Sequence, residues 1–413
     1  MAVPRHRRPS GPLAAAALAA ALLGALVAGP LAAASPSPAS DASGTSASPA
    51  VSASPAFAGS AAPAARPLVL AYYYIWFQPS SWDRAKRDLP ALGPYDSHDP
   101  AVIRQHVAWA KQAGIDGFIV SWKHTPTLDA ALAALVDEAR RQGLKLLLLY
   151  QGLDVNRNPI PVAQVRSDLL WFQQTYAGDP VFQPFGRPSA VWSGTWKFKD
   201  ADIASVRSAV GSPDRLALLG SERDAQQYEA RADLLDGDAY YWSSGDPLLT
   251  PGYHERLRRL GDAIHAHGGI WIAPVAPGFD ARLIGGTSVV DRRDGATYRE
   301  AWGAAAAASP DAVGIISWNE FTENSFIEPS RDLGDTYLRL TAQLIAALRG
   351  TAAPSIAPLA TVRPTPTASP AAAPAATASR PAGPDALPAV VVGLAILVAV
   401  AVLGTALRRR PVA

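Results

Sequence analysis

The sequence predicts an α/β fold, a single (β/α)8 TIM barrel over residues 67–350. Three observations carry that expectation. Short apolar runs alternate strictly with amphipathic stretches along the segment. There are eight such units, which suits one barrel of this length. The C-terminal end of nearly every apolar run is polar or aromatic, and that is where such barrels gather functional side chains.

The strand-like runs are "LVLAYYY" (68–74), "GFIVSW" (117–122), "KLLLLY" (145–150), "SAVWSG" (189–194), "RLALLGS" (215–221), "GDAYYWS" (237–243), "GIWIAPV" (269–275) and "AVGIISW" (312–318). Their near-continuous apolarity fits a parallel sheet covered by helices. The first helix opens on Asp99 as N-cap, has a proline at its first position and stops at Gly114. The second runs from Thr127 to Gly143, and others follow Pro161, Asp200, Thr250, Gly295 and Leu333. "ERDAQQYEARADLLDG" after the fifth run is the least regular. The rival architecture is a doubly wound open sheet, but no glycine-rich phosphate loop follows the first strand.

The flanks read differently. Residues 1–34 place Arg5, Arg7 and Arg8 before an apolar run and small residues, the layout of a secretory signal peptide. An uncleaved anchor is the alternative. Residues 35–66 and 351–386 are Ala/Pro/Ser/Thr-rich and lack the apolar content for a core, so they read as disordered spacers. Residues 387–407 are apolar enough to span a bilayer, and Arg408, Arg409 and Arg410 open a tail, 408–413, on the cytoplasmic side. The expected location is therefore the cell membrane, with one span and the barrel outside.

The chain has no cysteine, so neither disulfides nor a thiolate site hold it together. Nine of the 37 basic residues but only two of the 35 acidic ones lie outside 67–350, leaving that segment at about −5. An acidic segment without a basic stripe argues against nucleic acid as partner. No metal and no cofactor are expected. His265 and His267 are two apart, which on a helix do not share a face.

The expected strand ends bring together Tyr73, Tyr74, Trp76, Ser121, Trp122, Lys123, Tyr150, Gln151, Trp192, Trp196, Ser221, Glu222, Tyr241, Trp242, Asn319 and Glu320. Any one aromatic reads most plainly as barrel packing. As a set at one rim, flat rings framed by hydrogen-bonding groups describe a cleft for sugars. Residues 319–328 then place Asn319, Glu320, Glu323 and Glu328 at the end of the last strand. Burying a carboxylate unpaired costs several kcal/mol. Two that share a site separate their pKa values, leaving one to donate a proton and one to accept it, the division that glycoside hydrolysis uses. Glu320 and Glu323 are the candidate pair. Glu222 with Glu320 is the rival pair, Glu328 reads as structural, and Asp154 and Asp280 lie in loops where they bind either hydroxyls or the loop itself.

"YYYIWF" (72–77), residues 93–123, "DGDAYYWSS" (236–244), "WIAPVAPGFD" (271–280) and "SWNEFTENSFIEPS" (317–330) together resemble glycoside hydrolase family 99, a family of endo-α-mannosidases and bacterial endo-α-1,2-mannanases. The resemblance implies a (β/α)8 barrel. It implies that Glu320 removes the proton of the substrate's own 2-hydroxyl, giving a 1,2-anhydro sugar, and that Glu323 protonates the leaving oxygen and then activates water. It also matches Tyr241 and Asn319 to residues at the site. Phe321, Thr322 and Asn324 replace the Trp, His and Gly of the family motif N-E-W-H-E-G-x-x-I-E-P. The substrate-binding set expected is Tyr74, Trp76, Trp122, Lys123, Tyr241, Trp242 and Asn319. The functional expectation is an endo-acting, retaining α-glycosidase on α-mannan-type polysaccharide, tethered to the membrane by the C-terminal helix. The alternatives are an α-glucan hydrolase, a non-catalytic glycan-binding barrel in polysaccharide assembly and an inert surface scaffold.

Overall fold

Period-two burial organises the molecule, and it is legible strand by strand. In the computed structural model, which describes residues 66–356, the first strand buries every residue from Val69 to Tyr74. Alternate side chains enter different cores. Leu70, Tyr72 and Tyr74 join Ile119, Leu147, Leu149, Val191, Leu219 and Ile272 inside the barrel. Val69, Ala71 and Tyr73 join Phe118, Val120, Leu146 and Leu148 against the helices. Each large aliphatic side chain so buried contributes about 1.5–3 kcal/mol, and this burial stands in for the missing disulfides.

The strands in chain order are β1 Leu68–Tyr74, β2 Gly117–Trp122, β3 Lys145–Gln151, β4 Ser189–Ser193, β5 Ala217–Leu219, β6 Gly237–Asp238, β7 Ile270–Val275, β8 Phe279–Asp280, β9 Val289–Val290 and β10 Ala312–Ile315. Eight form one parallel sheet in the order β5-β4-β3-β2-β1-β10-β7-β6. The two edges meet where Gly220 bridges Asp238, with Gly220 N–H donating to the Gly237 carbonyl (2.9 Å) and Ala239 N–H to the Gly220 carbonyl (3.0 Å). The barrel is thereby nearly closed, which excludes the doubly wound sheet. β8 and β9 form a separate antiparallel hairpin that the sequence reading missed.

The helices are α1 Pro100–Gln112, α2 Pro126–Gln142, α3 Val162–Tyr176, α4 Asp200–Val210, α5 Ala225–Glu229, α6 Tyr253–Ala266, α7 Ala296–Ala307 and α8 Thr336–Arg349. Asp99 caps α1 as expected, its side chain accepting from Ala101 N–H at 2.8 Å. α2 begins one residue earlier than expected. Pro126 takes the first position, where a missing N–H costs nothing, and Thr125 is the cap. Gly143 ends α2 in the left-handed conformation at φ 67°.

Three strands, β5, β6 and β10, are much shorter than the apolar runs that announced them. At β5 and β6, carboxylates replace ladder partners. Asp236 accepts from Leu218 N–H (2.7 Å) and Asp238 from Glu222 N–H (2.6 Å). Past β10 the chain keeps bonding to its neighbours without forming a ladder, with Ile316 N–H to the Val275 carbonyl and Trp318 N–H to the Tyr72 carbonyl, both at 2.8 Å. The folded body extends slightly beyond both expected bounds. Arg66 pairs with Asp116 at 3.2 Å, and Ile356 is buried while its carbonyl accepts from Arg339 at 3.0 Å.

The expected signal segment 1–34, nearly all of both spacers, the membrane span 387–407 and the tail 408–413 lie outside the described residues. Among the described residues no helix is long and apolar enough to cross a membrane.

Candidate active site

A cleft of about 200 Å³ opens at the C-terminal ends of β1–β4 and is bounded by the loop after β10. Strand parity selects its floor. Tyr74, Ser121, Gln151 and Ser193 are the inward-facing residues at four successive strand ends, and all four line it. The register sets Tyr74 beside Ser121 and Gln151 beside Ser193. Gln151 Nε2 donates to Ser121 Oγ at 2.8 Å.

Glu320 and Glu323 both line this cleft and are 2% and 1% exposed. The loop 317–328 brings them there by folding back on itself. Ser317 N–H donates to the Ser325 carbonyl (2.7 Å), Ile327 N–H to the Ser317 carbonyl (2.9 Å) and Glu328 N–H to the Trp318 carbonyl (2.8 Å). Ser317 Oγ accepts from Glu320 N–H at 2.8 Å, fixing the backbone at the first carboxylate. Asp280 N–H on β8 donates to the Glu323 carbonyl at 2.7 Å, fixing it at the second. Phe321 stacks on Phe326, ring centres 4.1 Å apart, as the loop's own small core. Asn324 turns the chain at φ 51°, a left-handed conformation that Asn tolerates, so it serves where the family motif has Gly.

Burial pushes the Glu320 carboxyl up to about 7. Two donors from Thr322, its hydroxyl and its N–H (3.1 Å), and the charge of Lys86 oppose that rise without cancelling it. The phenols of Tyr74 and Tyr241 share a hydrogen bond of 2.7 Å. Burial keeps both far above their ordinary range, reinforced by the charges of Glu320 and Glu323. Both therefore stay neutral hydrogen-bond donors at the feet of the two carboxylates. Trp76, half-buried and 4.5 Å from the Tyr74 ring, offers an aromatic wall to the cleft. Lys123 also lines it, its ammonium held by the Leu153 carbonyl at 2.6 Å and its pKa lowered by burial.

Of the expected binding set, Tyr74, Trp76 and Lys123 face the cleft and Tyr241 backs it. Three others stand elsewhere. Trp122 borders the cleft but its ring lies in the helix-facing core, stacked 5.7 Å from Trp171 with Nε1 donating to Asp129 (2.9 Å). Parity is the reason, since β2 turns Ser121 inward and Trp122 outward. Trp242 packs between Tyr253 and Tyr240, 4.5 and 5.4 Å from their centres, away from the cleft. Asn319 is fully buried and serves the backbone, accepting from Tyr74 N–H (2.8 Å) and donating to the Tyr74 carbonyl (2.9 Å).

The rival carboxylate Glu222 is fully buried and paired with Arg231 at 2.9 Å, outside the cleft lining. Glu328 is structural, accepting from Tyr95 (2.9 Å) and bonded to His106 (3.1 Å). Asp280 pairs with Arg282 and Arg87, and the Arg282 hydrogen bonds hold it down at about 2. Asp154 lines the cleft but holds its own loop through the N–H groups of Asn156 (2.9 Å) and Asn158 (2.8 Å). Lys86 and Arg157 escaped the sequence reading because both sit in irregular loops. Ser121 and Gln151 stood among the rim residues, and parity would have ranked them above Trp122.

A nearly closed parallel barrel with paired buried carboxylates beside the last strand, in a cleft edged by aromatics, defines a class of sugar-cleaving barrels. The chain belongs to one family of that class: the sequence model of glycosyl hydrolase family 99 matches residues 77–336. It is 24% identical over 268 residues to a glycoprotein endo-alpha-1,2-mannosidase of Xenopus laevis, covering 58% of this chain and 57% of that one. It is 24% identical over 265 residues to a glycoprotein endo-alpha-1,2-mannosidase-like protein of Homo sapiens, covering 58% and 56%. The chain thus spans less than two thirds of the length of these relatives. Among solved structures, a GH99 endo-alpha-mannosidase of Bacteroides thetaiotaomicron superposes with a TM-score of 0.59 at 21% identity, covering 68% of this chain and 97% of that one. That likeness establishes the barrel fold.

Proposed function

We propose that this protein is an endo-acting, retaining α-glycosidase that hydrolyses α-mannan-type glycans. The observation that carries the reading is the convergence of Glu320 and Glu323, both buried, on one aromatic-edged cleft. A carboxyl poised at about 7 is suited to proton transfer near neutral pH.

In the first half of the reaction Glu320 takes the proton of the sugar's 2-hydroxyl. That oxygen attacks the anomeric carbon of its own ring as the glycosidic bond breaks, and Glu323 gives its proton to the leaving oxygen. A 1,2-anhydro sugar results. In the second half Glu323 takes a proton from water, the water oxygen opens the three-membered ring at the anomeric carbon, and Glu320 returns the proton to O2. Two inversions leave the configuration unchanged. Thr322 favours the charged form of Glu320, and the neutral, mutually bonded Tyr74–Tyr241 pair stands beside it.

The names of the relatives support mannose as the sugar. The apolar segment at 387–407, with its trailing arginines, supports a barrel held outside the cell by a membrane span. The decisive experiment incubates the purified protein with a panel of α-mannans and α-glucans and analyses the oligosaccharides released. Internal cleavage of α-mannan with retained configuration is expected. Glu320→Gln and Glu323→Gln are each expected to lower turnover by roughly 10²–10⁴ while oligosaccharide binding persists. Binding without release from the unaltered protein would leave a glycan-binding barrel in place of an enzyme.

A further inference from the structure

The loop that carries both carboxylates is gripped by a cation that the bond cleavage just described does not use. Arg292 lies just past β9, the second strand of the β8–β9 hairpin. Its Nη2 donates to the Asn324 carbonyl and to the Phe326 carbonyl, each at 2.9 Å. The first acceptor adjoins Glu323. The second belongs to the residue whose ring stacks on Phe321, 4.1 Å between centres, and Phe321 adjoins Glu320. One guanidinium thus reaches the neighbours of both carboxylates.

The surroundings are shaped to this side chain. Its charged group lies over two rings, 4.8 Å from the centre of Phe326 and 4.3 Å from that of Tyr337. Nε and Nη1 are buried. Burial pushes the guanidinium pKa down, and the Tyr337 phenol opposes the fall. Room for the stem comes from Gly278, where a Cβ would stand 2.5 Å from Arg292 Cγ. The hairpin's first strand grips the same loop, through Asp280 N–H on the Glu323 carbonyl at 2.7 Å. The carbonyls of Glu323, Asn324 and Phe326 therefore all answer to one hairpin. A flat guanidinium stacks on rings while donating in its own plane, which the point charge of a lysine does not match. Hydrogen bonds from a charged donor are also roughly twice as strong as neutral ones.

We propose that Arg292 is a positioning residue for the reaction, the clamp that holds Glu320 and Glu323 together in the cleft. The inference deepens the reading of that pair as the proton-handling groups and rests on it. An arginine that only stabilised the fold would change neither the dryness of the Glu320 carboxyl nor the rate of bond cleavage. A positioning one changes both.

The test has two arms, both on the full chain. The first reads the loop without catalysis. Because Glu320 is buried with its carboxyl raised, Glu320→Gln is expected to raise Tm by about 6 °C at pH 8 and hardly at all at pH 4.5. In an Arg292→Met background the gap at pH 8 should shrink to less than half, as the freed loop admits water to Glu320. Arg231→Met, a destabilising change outside the cleft, should leave the gap intact. The second arm is turnover of α-mannan. Arg292→Met should lower kcat by roughly 10²-fold, the cost of about 1 Å of misplacement, with KM little changed. Arg292→Lys should fall between it and the unaltered protein, and it carries both readouts if Arg292→Met does not fold. An undiminished gap, or a kcat no lower than that of Arg231→Met, overturns the clamp. So does a gap missing from the unaltered background, where the loop would be open with Arg292 in place. No turnover by the unaltered protein, with the gap shrinking as expected, overturns the glycosidase reading while the clamp on the loop stands.

Discussion

Glu320→Gln should make the protein more stable, and only where the wild-type carboxyl is charged. Burial lifts that carboxyl from 4.5 to about 7. At about 1.4 kcal/mol per tenfold change in proton affinity, the rise corresponds to about 3 kcal/mol. The sign follows from the raised value. Below pH 4.5 the group is protonated in both folded and unfolded chains and costs nothing. Between 4.5 and 7 the folded form must keep a proton that the unfolded chain has released, so stability falls as pH rises. Above 7 the full cost is present. Glutamine keeps the shape and the acceptor for Thr322 without the charge. Urea unfolding followed by circular dichroism should give nearly equal stabilities for the two proteins at pH 4.5 and a variant about 3 kcal/mol more stable at pH 8. At roughly 2 °C per kcal/mol for a domain of this size, the gap in Tm is about 6 °C. A difference that stays flat between those two pH values would refute the buried, raised carboxyl and the proton-transfer role built on it.

Three further outcomes follow from named contacts. Thr322→Val removes a hydroxyl that favours the charged Glu320. The acidic limb of kcat/KM should therefore move up by roughly one pH unit, read from a pH–rate profile. Asn324→Ala places a Cβ-bearing residue without a local hydrogen-bonding group at φ 51°. It should cost about 1 kcal/mol in chemical denaturation, whereas Asn324→Gly should be near neutral. Arg231→Met strands the buried Glu222 carboxylate. It should destabilise by about 3 kcal/mol, and adding Glu222→Gln should recover most of the loss in the same unfolding assay.

Much of this architecture was legible in advance because each barrel strand announces itself by an apolar run, as in "LVLAYYY" and "KLLLLY". Of the three runs that end early, 215–221 and 237–243 do so because Asp236 and Asp238 bond to backbone where a neighbouring strand would. That substitution has no signature in local composition. The aromatic rim was over-read for a different reason. Strand ends were treated as one set, yet Trp122 faces the helices and Trp242 leans on α6. Only the period-two sorting tells a cleft aromatic such as Trp76 from a packing one. The carboxylate pair was legible as E-x-x-E at a strand end. The fold-back that joins Ser317 to Ser325 and Ile327 was not, because it depends on backbone bonds that any residues could make.

The double clamp of Asn319 on Tyr74 has a consequence for remodelling the protein. One amide side chain stands where a paired strand would continue, and it bolts the carboxylate loop to the end of β1 through both the N–H and the carbonyl of Tyr74. The rim ring and the proton-handling loop are thus one rigid module, though 245 positions separate them along the chain. A graft of residues 317–328 into another barrel would arrive with its hinge unscrewed unless the tyrosine strand travelled too.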